Sequence, residues 1–96
     1  MNKQLIKEVE EKLINEIFKK CYFISTNSEC DVFFRYSPHV NCYDVDYHIS
    51  GWKPLEDAIH INNSTEINYS NLKCTLKKLD KLWEEVNKRM EANNNE

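Results

Sequence analysis

Residues Cys42–Ser50 read CYDVDYHIS. Tyr43, Val45, Tyr47 and Ile49 alternate with Asp44, Asp46, His48 and Ser50. Successive side chains on a strand point to opposite faces, so this stretch predicts a strand with one apolar and one polar face. The polar face carries two carboxylates and an imidazole. It is either a site or the wet side of an antiparallel sheet, which commonly leaves one face in water.

The neighbours of this strand extend the pattern. DVFFRYS, Asp31–Ser37, predicts a strand with Val32, Phe34 and Tyr36 on one face and Phe33 and Arg35 on the other. PHVN, Pro38–Asn41, closes a four-residue hairpin loop. Pairing Ser37 with Cys42 sets Tyr36 opposite Tyr43 and Phe34 opposite Val45, so the apolar faces agree. CYFIST, Cys21–Thr26, is β-branched and aromatic and predicts a further strand. AIHIN, Ala58–Asn62, predicts a fourth, pairing back so that His48 lies near His60 and Asp46 near Asn62. GWKPLED between them holds the only glycine, Gly51, and a proline. NNSTEINYSN reads as a polar loop.

Helical patterns flank the strands. Leu5, Ile6, Val9, Leu13, Ile14, Ile17 and Phe18 recur at three- and four-residue steps, predicting a helix over Lys3–Lys20. A second helix is predicted from an N-cap at Ser70 to about Glu91. Leu72, Leu76, Leu79, Trp83, Val86 and Met90 form a heptad seam on it. That seam serves either packing inside the domain or a homodimer contact. Residues 92–96 are expected to fray.

The expected architecture is α+β: helix, four-stranded antiparallel meander, helix, in one small domain over residues 1–96. Both helices would lie on one sheet face, made by Val32, Phe34, Tyr36, Tyr43, Val45, Tyr47, Ile49, Ile59 and Ile61.

Composition narrows the function. The chain has 96 residues, of which 41% are hydrophobic and 30% charged, so it has the means to fold. A net charge of −3 argues against a general nucleic-acid coat. No apolar run is long enough to span a membrane. The amphipathic start MNKQLIKEVEEKL, with three lysines and three glutamates, lacks the apolar core of a secretory signal. Cys21, Cys30, Cys42 and Cys74 form no CxxC pair and read as reduced thiols. The expected location is therefore the cytoplasm. Many Lys and Asn with one Gly suggest an AT-rich genome, such as a low-GC bacterium, its phage or its plasmid.

No catalytic motif is present: no GxSxG, P-loop, HExxH or GxGxxG. The chain is expected to be non-catalytic and to need no cofactor or metal. Aromatics and arginine dominate interface energies, which makes the polar strand face a candidate surface for a protein partner. Its residues are Phe33, Arg35, Asp44, Asp46, His48 and, from the adjoining loop, Trp52. The expectation is an adaptor or inhibitor of a host protein, of an anti-defence type if encoded by a mobile element. One alternative is a metal-dependent hydrolase using Asp44, Asp46, His48 and His60, since carboxylate and imidazole suit Zn, Mn or Fe.

Lys73, Lys77, Lys78 and Lys81 cluster at the start of the last helix. With a helix–strands–helix order, they resemble the double-stranded-RNA-binding domain. That resemblance implies readout of A-form shape through 2′-OH and phosphate contacts. The chain departs from that family by its fourth strand, its acidic balance and the placement of Gly51, Pro54 and His60.

Overall fold

The computed structural model describes residues 2–94. Helix α1 (Lys3–Asn27) is followed by strand β1 (Asp31–Ser37), a single 3₁₀ turn (Pro38–Val40), strand β2 (Cys42–His48), strand β3 (Ile59–Glu66) and helix α2 (Tyr69–Asn94). The fold is α+β with a three-stranded antiparallel sheet in the order β1-β2-β3.

The expected strand at Cys21–Thr26 does not form, because α1 continues through it to Asn27. Leu13, Ile17, Cys21 and Ile24 make one buried stripe at helical spacing. Burial of that stripe outweighs the local β preference of CYFIST, which is worth little against packing. Thr26 adapts by donating its hydroxyl to the Tyr22 carbonyl at 2.8 Å. Ser28 then ends the helix: its hydroxyl donates to the Ile24 carbonyl at 2.6 Å and accepts from the Cys30 N–H at 3.2 Å.

The β1–β2 register matches the expectation, with Ser37 opposite Cys42, Tyr36 opposite Tyr43 and Phe34 opposite Val45. The strand expected to reach Ser50 stops at His48, where the Gly51 N–H donates to the His48 carbonyl at 3.1 Å. Gly51 takes φ 94, a conformation side chains resist, and an added Cβ would come within 3.3 Å of the Glu29 carbonyl oxygen.

Strand β3 differs from its expectation in length and register. It runs on through NNSTE, which the sequence pattern assigns to a loop. His60 pairs with Asp46 rather than with His48, and Asn62 pairs with Val45 rather than with Asp46. Two irregularities absorb the extra residues, one on each side of the Val45–Asn62 pair. Ser64, at φ 48, lies in the first of them.

Helix α2 is capped by Asn68 rather than Ser70: the Asn68 side chain accepts the Asn71 N–H at 2.8 Å. Residues expected to fray from 92 are helical to Asn94, and 95–96 lie outside the described residues. The two helices run side by side in the same direction, tied by Lys20–Asp80 at 2.6 Å and by the Phe23–Trp83 ring pair at 4.9 Å. The core cluster joins the α1 stripe to Tyr43 and Val45 of β2 and to Leu72, Leu76, Leu79, Leu82 and Val86 of α2. The heptad seam of α2 is thus occupied by the chain's own core.

Helix and strand make opposite claims about Ile24 and Thr26. A strand would put them on one face, whereas the helix buries Ile24 and exposes Thr26. Ile24→Ala is expected to cost about 2–5 kcal/mol of unfolding free energy, and Thr26→Ala under about 0.5 kcal/mol. Urea denaturation reads both; equal costs would contradict the helical continuation.

Candidate functional site

The alternation of β2 delivers its two faces as the sequence implies. Tyr43 and Val45 enter the core, and Asp46 and His48 lie on the other side. Those two polar residues are not open to water. Asp46 is only 3% exposed. Its Oδ2 accepts from the Arg35 guanidinium of β1, and the His60 ring of β3 stands 3.8 Å away on the opposite flank. Arg35 is at the surface, with 55% of its side chain exposed. The carboxylate is therefore buried against the Arg35 counter-ion, the arrangement a buried charge requires.

His48 is also buried, and Phe33 meets it edge-on with ring centroids 6.0 Å apart at 86°. Such a T-shaped contact is worth about 0.5–1.5 kcal/mol beyond area burial. Phe33 still shows 38% of its surface. Asp44 turns to the bulge in β3, where its Oδ1 accepts the Ser64 N–H at 2.8 Å. That bond satisfies a donor the irregular pairing would leave open. Trp52 lies on the loop after β2, 59% exposed, its backbone N–H donated to Asp31 Oδ2 at 2.7 Å. Asp31 in turn sits opposite His48 in the ladder.

The structure thus brings Phe33, Arg35, Asp46 and His48 together and adds His60 as a direct neighbour of Asp46. It directs Asp44 elsewhere and hooks the Trp52 loop to the start of β1. Arg35 lies diagonally across from Asp46, a contact the β1–β2 register already implied. The part of His60 depends on the β3 bulges, for which the sequence carries no clear signal. The hydrolase alternative needed Asp44, Asp46, His48 and His60 to converge. Among the described residues no three His, Cys, Asp or Glu side chains form a metal-holding group.

A second polar network ties β3 to α2. The Tyr43 hydroxyl lies 2.6 Å from the Thr75 hydroxyl and 3.0 Å from the Asn71 carbonyl. Thr75 donates to Asn62 Oδ1 at 2.6 Å. Thr75 is fully buried and Tyr43 likewise, so the chain of hydroxyls satisfies groups that water cannot reach. Asn62 is the residue between the two irregularities, so this network holds the bulged segment from the core side as Asp44 holds it from the other.

The two buried cysteines, Cys21 and Cys30, are not activated as nucleophiles. Burial pushes the Cys21 thiol up to about 12, and burial, aided by the charges of Asp31 and Glu85, pushes Cys30 up to about 11. A nucleophilic cysteine needs the opposite shift. Cys42 is partly buried and Cys74 exposed. A cleft of about 510 Å³ opens between Ile49, Val86, Arg89 and Met90, and none of the six candidate residues lines it.

No family model matches the chain, and no curated protein or solved structure matches it either. No helix among the described residues is long and apolar enough to cross a membrane.

Two expectations follow. Asp46→Ala would remove the centre of the clamp and is expected to cost about 1–3 kcal/mol, seen as a lower urea midpoint. The raised thiols make stability fall on the alkaline side. An unfolded thiol ionises near 9.0, whereas folded Cys21 keeps its proton to about 12. The favourable contribution is complete below 9 and is lost as pH rises through that interval. Burial raises Tyr43 and Tyr47 as well, which adds in the same direction. Urea midpoints that stay constant from neutral pH to above 10 would contradict this.

Proposed function

We propose that the chain is a non-catalytic protein-binding module that occludes a surface of its partner, as an adaptor or inhibitor of a host protein. In this reading both helices back the apolar face of the sheet and the polar face meets the partner. The observation that carries it is the Arg35–Asp46–His60 clamp. It spans all three strands and gives a preformed surface beside which Phe33 is exposed, with Trp52 exposed on the adjoining loop. Preformed surfaces bind with less ordering cost than loose ones. Aromatic anchors beside an arginine are the residue types that dominate such interfaces. A cytoplasmic protein encoded by a phage or plasmid remains the expected setting.

The clamp changes which residues do the binding. Asp46 and Asp44 each hold the fold, through Arg35 and through the Ser64 amide. Arg35, Phe33 and Trp52 have free surface to offer.

A tagged pull-down from host cells would supply the partner. Phe33→Ala and Trp52→Ala are then each expected to weaken binding roughly tenfold or more, with stability falling by less than about 1.5 kcal/mol. Calorimetry and thermal melts on the same variants read both quantities. Unchanged affinity in the double variant would remove this surface from consideration.

A second reading has its own observation. With Cys21–Thr26 helical, the element order becomes helix, three strands, helix, the order of the double-stranded-RNA-binding domain. Lys73, Lys77 and Lys81 are exposed near the start of α2. Binding of duplex RNA through them would weaken steeply with salt. A flat salt response, or no binding at low salt, would discard it.

A further inference from the structure

The two edges of the sheet are built differently. The β3 edge is interrupted by two irregularities, carries Ser64 at φ 48, and has the Lys78 ammonium 3.5 Å from the Ile61 carbonyl oxygen. Bulges and lysines are the devices that stop a strand edge from pairing with another chain. The β1 edge has neither device. Its pairing with β2 runs unbroken from Asp31–His48 to Ser37–Cys42.

The direction of the free groups can be read from one bond. The Val32 N–H donates to the Ser25 hydroxyl of α1 at 3.0 Å, so it points away from β2. In an unbroken antiparallel pair the backbone groups alternate, and the N–H and C=O of one residue point the same way. Phe34 and Tyr36 therefore present their N–H and C=O groups outward too. Among the described residues none of these groups has a hydrogen-bond partner.

Helix α1 adds apolar surface along the same edge. Asn15, Phe18, Tyr22 and Ser25 lie on one stripe, spaced three, four and three. Ser25 marks where that stripe meets β1. Phe18 and Tyr22 continue that stripe along α1, 58% and 64% exposed. An uncharged aromatic stripe beside an unpaired strand edge is an unusual surface to leave in water.

We propose that this edge pairs with the same edge of a second copy of the chain, β1 against β1, to make a continuous six-stranded sheet across a two-fold axis. The residues are self-complementary in one register, centred on Phe34. Phe34 then exchanges N–H···O bonds with the second copy's Phe34, and the Tyr36 N–H reaches the second copy's Val32 carbonyl, leaving Ser25 its bond to Val32. On the polar face, Phe33 lies opposite the second copy's Arg35, a cation beside a ring, and the pair occurs twice. On the other face, the two Phe18–Tyr22 stripes run antiparallel over the seam. Centring the axis on Arg35 instead would oppose two guanidinium groups. Centring it on Phe33 would need the Val32 N–H that Ser25 holds. The α2 seam packs into the chain's own core, whereas Phe18 and Tyr22 stay exposed. The assignment does not rest on the partner-binding reading.

Sedimentation equilibrium tests it across the micromolar range, where the protein is expected at twice the 11.5 kDa chain mass. Tyr36→Pro removes an outward N–H and leaves the ladder to β2 intact, as proline is tolerated on an edge. It is expected to give a monomer with an unchanged far-ultraviolet spectrum, while Tyr36→Phe stays dimeric. Amide exchange on the unmodified protein decides the matter even should the proline variant fail to fold. The Phe34 and Tyr36 amides are expected to exchange as slowly as those of Phe33 and Arg35. A monomeric wild type, a folded Tyr36→Pro dimer, or fast exchange at Phe34 and Tyr36 would each overturn the proposal. So would amides that become protected only when a different protein is added.

Discussion

Burying the Asp46 carboxylate constrains the whole sheet. A charge at 3% exposure in a central strand is tolerated only with opposite charge or hydrogen bonds close by. Arg35 supplies the first from β1. His60 comes from β3, and it reaches Asp46 only because β3 pairs two residues away from the simple register. That displacement requires the irregularities around Asn62, and these leave a backbone donor at Ser64 that Asp44 accepts. They also set Asn62 against Thr75, and Thr75 against Tyr43. One buried carboxylate is thus linked through pairing geometry to the bulge, and through the bulge to α2.

Much of this was legible in the sequence where a periodic pattern coincided with burial. The alternation of CYDVDYHIS placed Tyr43 and Val45 in the core, and parity between DVFFRYS and that stretch set the β1–β2 register. The failures share a cause. CYFIST looks like a strand because strand preference is local, whereas the continuation of α1 depends on Cys21 and Ile24 completing a stripe begun at Leu13. NNSTE looks like a loop because it is polar, yet it pairs with β2, since a backbone ladder does not ask for apolar side chains. A bulge is one residue out of step, and parity arguments assume that none exists.

Of the candidate residues, the proximity of Phe33, Arg35, Asp46 and His48 was legible in the sequence, and their bonding was not. Reading Asp44, Asp46 and His48 as outward-facing polar groups was reasonable from alternation alone. It ignored that polar neighbours on adjacent strands compensate one another first. Arg35 lies diagonally across from Asp46 in the register the sequence already implied, so their proximity followed from that register. His48 was reached by Phe33 for the same geometric reason. Charges that satisfy each other lose their value as long-range steering groups, and aromatics left standing above them gain value as anchors.

A domain of 96 residues has little stability to spare, and that bears on how recognition could evolve on it. On the polar face the stabilising contacts are Asp46 with Arg35 and His60, Phe33 with His48, and Asp44 with the bulge. The exposed Trp52 side chain takes no part in them, its loop being held by a backbone bond to Asp31. In the proposed reading, substitutions at Trp52, and to a lesser degree at Phe33, retune the partner-binding surface without unfolding the sheet beneath it. Asp46 has no such freedom, because a neutral residue there leaves Arg35 without its counter-charge. The same division separates the two edges of the sheet: β3 is locked by the bulge that the clamp requires, and β1 is left regular, which is why only β1 retains the geometry to accept another strand.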